Sequence, residues 1–187
     1  MEYTETEIEG VWVIQPKVFD DARGYFFEAW KQAEFDAHIG YHVEFVQDNE
    51  SMSSRGVLRG LHYQKGESSQ AKLVRVIKGK VLDVAVDLRK DSKTFGKYVM
   101  VELSGENKLQ FFIPRGFAHG FLVLSDEAIF TYKVDNPLLL KLRQVSAGMM
   151  KPLVSSGLLR AKMYCSQKKT SIRRCLLRRL SILSKIS

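Results

Sequence analysis

After Asp135 the chain contains no aspartate or glutamate, and this absence divides it more sharply than any motif. Residues 137–187 hold twelve Lys/Arg against no acid. Residues 1–136 hold 17 basic and 21 acidic residues, so the formal +8 of the whole combines −4 with +12. A net charge of +8 would ordinarily suggest a nucleic-acid partner, but it describes neither part. Aromatic residues thin out at the same seam: 19 of the 20 precede Pro137, and only Tyr164 follows it. Cysteine is scarce. Cys165 and Cys175, ten residues apart with no further His or Cys beside them, match no metal-ligand spacing and make no disulfide framework. No stretch reaches the ~18–20 apolar residues of a membrane span. The opening Met1-Glu2-Tyr3-Thr4-Glu5 is acidic and lacks the apolar run of an export signal. The expectation is a soluble cytoplasmic protein without a membrane span, and 187 residues suffice for one domain with a full core.

What is present before the seam reads as β structure. Short runs at Val11–Ile14, Gly24–Glu28, Val43–Val46, Val57–Gln64, Lys72–Ile77, Lys80–Leu88, Tyr98–Leu103, Leu109–Ile113, Phe121–Leu124 and Ala128–Val134 are separated by turn residues such as Gly79 and Ser104-Gly105-Glu106-Asn107. In Val81–Leu88 the alternation sends Leu82, Val84, Val86 and Leu88 one way and Asp83, Ala85 and Asp87 the other. Lys31–Ile39 has helical spacing, with Phe35 and Ile39 four apart and Gly40 in the position that ends a helix. About ten short strands and one accessory helix predict an all-β sandwich or jelly-roll barrel.

Chemistry concentrates in Arg59-Gly60-Leu61-His62-Tyr63-Gln64, where a period of two puts His62 and Gln64 on one face and Gly60 permits a turn or a close backbone approach. A second histidine follows in Pro114-Arg115-Gly116-Phe117-Ala118-His119-Gly120. Two histidines on two β segments suit either proton transfer or a metal. Arg59, Lys72 and Arg23 gather cations around the first imidazole, a setting for an anionic or oxyanion-forming substrate and a poor one for a metal ion. His38 and His42 flank the helix-ending glycine and read as surface residues.

Pro114-x-Gly116-x-x-His119 resembles the second histidine motif of the cupins. The first cupin motif would need two histidines one residue apart and then a glutamate, whereas Tyr63 and Gln64 follow His62 here. The resemblance is therefore to a cupin-type jelly-roll barrel that has lost its metal. The hexapeptide together with Pro16-Lys17-Val18-Phe19-Asp20, Arg23-Gly24, Phe45-Val46-Gln47-Asp48-Asn49, Lys72-Leu73-Val74-Arg75, Asp83-Val84-Ala85-Val86-Asp87 and Tyr132-Lys133 resembles one family, the dTDP-4-dehydrorhamnose 3,5-epimerases of nucleotide-sugar metabolism. The resemblance runs from about Val11 to Asn136. It implies inversion of carbons 3 and 5 of a dTDP-linked 4-keto-6-deoxyhexose without a cofactor or metal. By the same resemblance His62 is the base, Lys72 stabilises the enolate and Tyr132 returns the proton from the other side. Arg23, Glu28, Gln47, Asp48, Asn49, Arg59 and His119 fall in the blocks that hold nucleotide, phosphates and sugar. Asp83 is expected to orient His119 or lie beside it, and Asp87 to face solvent. A homodimer is implied, because the family completes each site with a neighbour's N-terminal strands.

The family's later segments, a proline-glutamate, a tryptophan-aspartate and a serine-x-lysine-aspartate, do not occur after Asn136. An adjacent reading frame can hold them. Leu140-Lys141-Leu142-Arg143-Gln144 can be encoded so that the offset frame reads Glu-Ala-Glu-Ala. Met149-Met150-Lys151 after a GGG codon at Gly148 forces Asp-Asp-Glu there, and Ser166-Gln167-Lys168-Lys169-Thr170 can conceal Ser-Glu-Lys-Asp. The expectation is a barrel over residues 1–136, incomplete, followed by a basic tail over 137–187 produced by a frameshift near residue 137. The resemblance implies that the lost segment carries the carboxylate paired with the base, so activity should be impaired. Three alternatives stay open: an epimerase acting at carbon 3 or carbon 5 alone, a metal-dependent cupin, and a binding protein whose tail touches nucleic acid or anionic lipid. For the last, Cys175–Leu183 has the makings of a basic amphipathic helix, though unpatterned charge gives only non-specific nucleic-acid binding.

Overall fold

The computed structural model describes residues 1–137 and the backbone of 143–145. The expected basic helix at Cys175–Leu183 and the codon-shifted segments beyond Val145 lie outside the described residues. The strands are β1 (Glu2–Glu5), β2 (Trp12–Gln15), β3 (Val18–Asp21), β4 (Gly24–Phe27), β5 (Gln47–Ser54), β6 (Leu58–Gln64), β7 (Lys72–Lys78), β8 (Lys80–Asp87), β9 (Tyr98–Ser104), β10 (Gln110–Ile113), β11 (Phe117–Val123), β12 (Glu127–Val134) and β13 (Arg143–Val145), with one helix, α1 (Gln32–Ile39). They form a six-stranded sheet in the order β1-β2-β10-β7-β12-β5 and a five-stranded sheet in the order β13-β6-β11-β8-β9, while β3 and β4 pair as a separate ribbon. All the pairings are antiparallel. This is the all-β barrel with one short helix that the strand pattern predicts, of the cupin type that the motif resemblance implies.

Alternation makes the layers. Val74 and Val76 of β7, Phe111 and Ile113 of β10, and Ala128 and Phe130 of β12 point from the first sheet into the space between the sheets. Val81 and Ala85 of β8, Val99 and Leu103 of β9, and Phe121 and Val123 of β11 meet them from the second. Phe111 and Phe130 are fully buried there, each stabilising the fold by about 2–3 kcal/mol relative to an exposed ring. The outer face of the first sheet, with Ile14, Leu73 and Phe112, is covered by Phe35 and Ile39 of α1 and by Val43. The helix ends where expected, with Gly40 at φ 87° donating its N–H to the Asp36 carbonyl. Val84 and Val86 of β8 join Leu61, Ala118 and Leu122 on the outer face of the second sheet.

Three expectations are corrected. Val43–Val46 is not a strand: Val43 and Phe45 alternate because they dock on the α1 cluster. The strand begins at Gln47, and no apolar pattern announces it. β5 is an edge strand whose half-buried Gln47, Asn49 and Ser51 alternate with exposed Asp48, Glu50 and Met52. β11 starts at Phe117 rather than Phe121, so His119 lies within a strand. Asp87 does not face solvent. It is wholly buried and accepts bonds from Arg89 Nε and Nη2 at 3.0 and 2.9 Å, from Ser92 Oγ at 2.6 Å and from Thr94 Oγ1 at 2.6 Å. The carboxylate is the anchor of the 88–97 loop, so a polar residue in an apolar alternation marks a satisfied buried acid here.

Gly60 and Gly120 touch across β6 and β11, where the register slips between the His119–His62 and Phe121–Arg59 pairs. A Cβ on Gly60 would stand 2.5 Å from Gly120 Cα, and one on Gly120 would stand 2.6 Å from the Arg59 carbonyl oxygen. The bulge therefore requires glycine on both sides.

Two outcomes follow from this packing. Burial opposes ionisation of Asp87, but the bonds from Arg89, Ser92 and Thr94 outweigh it and hold the carboxyl far below the usual carboxylate range. Its contribution to stability is thus complete above the unfolded-state value near pH 4 and declines as pH falls through the folded value. Asp87→Ala should destabilise by roughly 3 kcal/mol at neutral pH, with the loss relative to the parent shrinking below about pH 4; urea unfolding at several pH values checks both, and a loss unchanged by acid would contradict the ionised form. Gly120→Ala should lower the melting temperature by roughly 5–10 °C, and an unchanged midpoint would show that the bulge yields easily.

Candidate active site

Inner-face polar residues collect toward one end of the sandwich. β7 reads Lys72, Val74, Val76 inward and β12 reads Ala128, Phe130, Tyr132, and because both pair with opposite sense the lysine and the tyrosine reach the same end. His62 of β6 and His119 of β11 are direct partners across the ladder of the other sheet. Between the sheets lies a cavity of about 170 Å³, lined by Arg59, His62 and His119 on one side and by Asn49, Lys72 and Tyr132 on the other. The imidazole of His62 and the phenol of Tyr132 thus enter from facing walls.

Behind His119 stands Asp83, with no solvent exposure. Its two oxygens lie 2.9 and 3.0 Å from His119 Nε2, and His119 is only 7% exposed. A carboxylate in this position fixes which ring nitrogen faces it. His119 also lies 6.2 Å from the ring of Phe130, and Phe130 lies 6.1 Å from Tyr132. Arg59 is held at the cavity edge, donating from Nε to Ser53 Oγ at 2.8 Å and from Nη2 to the Met52 carbonyl at 3.3 Å. Gln47 does not line the cavity but donates to Asn49 Oδ1 at 2.7 Å, fixing the neighbouring amide. Gln64, at the place of an expected cupin ligand, is buried and donates to the carbonyls of Ser68 and Pro137. No group of three or more His, Cys, Asp or Glu able to hold a metal occurs among the described residues.

Besides Gln47, three residues expected in the substrate set are not brought to this cavity. Asp48 points to the opposite face of β5, exposed, and pairs with Lys133 Nζ at 2.9 Å, because period two separates it from Gln47 and Asn49. Arg23, at the tip of the β3–β4 ribbon, has a side chain 90% exposed and pairs with Asp21 at 2.6 Å. Glu28, just after β4, is exposed. The ribbon lies over the outer side of the six-stranded sheet, where Arg75 sits above the Phe27 ring and Gln110 donates to the Ala29 carbonyl. His42 is a surface residue as expected, bonded to Asp36 at 2.6 Å, a contact that raises its pKa. Ser51, Gln70, Phe121 and Phe130 also line the cavity. Ser51 was recoverable from the Asn49 face by period two; Gln70 sits before β7, where no periodicity marks it.

Comparison with known proteins identifies the family of this fold. The family model for dTDP-4-dehydrorhamnose 3,5-epimerase matches residues 5–144. A dTDP-4-dehydrorhamnose 3,5-epimerase from Shigella flexneri is 59% identical over 136 residues, 73% of this chain and 75% of that protein. The crystal structure of the enzyme of that name from Elizabethkingia anophelis superposes with a TM-score of 0.76 at 52% identity, over 79% of this chain and 81% of that one. A Legionella pneumophila 3,5-epimerase solved with dTDP-4-keto-L-rhamnose gives a TM-score of 0.76 at 41% identity, covering 91% and 85%. No helix among the described residues is long and apolar enough to cross a membrane. A barrel with a histidine and a tyrosine on facing walls, matched over most of its length by these isomerases, belongs to the dTDP-4-dehydrorhamnose 3,5-epimerase family.

Proposed function

We propose that the cavity takes a dTDP-linked 4-dehydro-6-deoxyglucose and inverts carbons 3 and 5 by proton exchange, in the cytoplasm and with no cofactor. A C–H beside a ketone needs only a base, a charge to steady the enolate oxygen and an acid on the far face. His62 removes the proton. Lys72 stabilises the oxyanion at carbon 4, a task suited to a compact ammonium. Tyr132 delivers a proton to the opposite face and recovers one from solvent. The observation that carries the reading is the approach of His62 and Tyr132 from different sheets into one cavity. Arg59, Asn49, Gln47 and His119 hold the diphosphate and sugar, with Asp83 supporting His119.

Arg23 and Glu28 act on a neighbour's cavity. Supporting this, the ribbon that carries Arg23 lies away from its own cavity, and its cross-strand pair Phe19–Phe26 is 53% and 70% exposed. Paired aromatics so exposed suit burial against a second copy in a two-fold dimer. Sedimentation of the chain should give a dimer at micromolar concentration. The double variant Phe19→Ser/Phe26→Ser should shift it toward monomer and weaken dTDP binding in parallel; a monomeric parent would end the in-trans reading.

The composition seam supports a frameshift near residue 137 and an impaired chain, since residues 137–187 contain no carboxylate to offer the base. The test follows dTDP-4-dehydro-6-deoxyglucose in deuterium oxide by NMR. It compares the 187-residue chain with one whose residues after Asn136 are read in the adjacent frame. The restored chain should exchange both carbons at least ~10²-fold faster, and His62→Ala within it should abolish exchange. Equal rates would reject the frameshift. Exchange at one carbon alone would make it a mono-epimerase, and none at either would sink the epimerase reading.

A further inference from the structure

Arg59 is an expected phosphate-binding group whose aim is set by a residue no expectation included. Ser53, on β5, is only 6% exposed, and its Oγ accepts Arg59 Nε–H at 2.8 Å. The Met52 carbonyl takes one Nη2 hydrogen at 3.3 Å. Arg59 belongs to β6 in the five-stranded sheet, whereas Ser53 and Met52 belong to β5 at the edge of the six-stranded sheet. The guanidinium therefore bridges the two walls at the edge of the cavity it lines. Backbone geometry fixes its root as well, since the Arg59 carbonyl lies against Gly120 in the bulge.

We propose that Ser53 is a positioning residue for nucleotide-sugar binding: it locks the Arg59 guanidinium so that its remaining N–H groups present a ready fork to the diphosphate. This rests on the reading of Arg59 as a diphosphate ligand. An arginine free to rotate must lose much rotamer freedom when an anion arrives. Held beforehand by Ser53 Oγ and the Met52 carbonyl, it meets the anion with that entropy already lost. Two of its five donor hydrogens are used by β5, which leaves both hydrogens of Nη1 and one of Nη2, enough for two oxygens of a phosphate. Arg59 makes no other ion pair or hydrogen bond among the described residues, so the bonds to Ser53 Oγ, the shorter of the two, and to the Met52 carbonyl set its direction.

The experiment measures dTDP dissociation constants by ligand-observed NMR, which reads millimolar affinities, on the full chain and on Ser53→Ala, Arg59→Ala and the double variant. Ser53→Ala should weaken dTDP about tenfold, the scale of one hydrogen bond to a charged group. The double variant should bind no more weakly than Arg59→Ala alone, because Ser53 acts through Arg59. Ser53→Ala within twofold of the parent overturns the proposal, as does an effect of equal size in the Arg59→Ala background. If Ser53→Ala does not fold, Ser53→Thr, which keeps the oxygen, should bind like the parent, and Ser53→Val should bind about tenfold more weakly; equal affinity of that pair overturns it. Arg59→Ala without effect would instead remove the diphosphate reading of Arg59, and a parent that takes no dTDP would remove the nucleotide-sugar reading itself.

Discussion

Phe121 and Phe130 stack at 4.1 Å with their rings 18° apart, one from each sheet of the sandwich. Their contact sets the separation of the two walls on which the cavity depends. Such a pair contributes about 0.5–1.5 kcal/mol beyond the area it buries. Its larger consequence is geometric. His119 is two residues before Phe121 on β11, and Tyr132 is two residues after Phe130 on β12, so each polar group sits one inward position from a fixed ring. His62 follows, because it is the ladder partner of His119. A base and an acid on opposite faces of a sugar need walls that do not drift by an ångström, and close-packed aromatics resist that drift better than any loop contact.

The polar end opposes the packing that creates it. Asp83 lies on the same inward face as Val81 and Ala85, where an unpartnered carboxylate would be several kcal/mol unfavourable. Its two contacts with His119 Nε2 offset that desolvation, so the pair is retained as a unit and the imidazole has one orientation. Asp87, four residues on, solves the same problem with arginine, serine and threonine, and there the product is a locked loop. Two buried acids on one strand thus serve different ends. The difference lies in their partners: a ring that reaches the cavity in one case, and a loop closed on itself in the other.

This contrast explains how much the sequence disclosed. Strands with one apolar face, such as β7, β8 and β12, were legible to within a residue or two, because burial enforces the period. β5 was not: its inner face lines a polar cavity and its outer face meets solvent, so neither carries an apolar signal. The same strand misled the reading of Asp48, which shares a motif with Gln47 and Asn49 but not a face. His62, Lys72, Tyr132, Asn49, Arg59 and His119 converge as motif resemblance implied, since each stands on a strand whose register is fixed by packing. Arg23 at the tip of the β3–β4 ribbon and Glu28 just after it lie outside both sheets, and no periodicity in the sequence ties them to the cavity. Ser53 was hidden because nothing in its neighbours' spacing shows that an arginine six residues later returns to it.

The position of the composition seam is the remaining step. Asn136 and Pro137 are tied to the cavity side of the barrel: Gln70 donates to the Asn136 carbonyl at 2.6 Å, Asn136 Nδ2 to the Glu67 carbonyl at 2.6 Å, and Gln64 to Pro137 at 3.4 Å. Gln64 and Gln70 themselves line the cavity. The chain therefore leaves the ordered ladder of β12 beside the site. Among the described residues, those that form the inter-sheet core lie before that point, so a change of residues after 137 leaves that core intact. β13, from beyond the seam, still pairs with β6 through its backbone, a contact that tolerates almost any side chain. A ladder can survive a change of reading frame; a carboxylate placed beside a base cannot. On the proposed reading of the seam, that asymmetry lets a barrel so close to its relatives through Asn136 fold as they do while the carboxylate expected beside the base is lost.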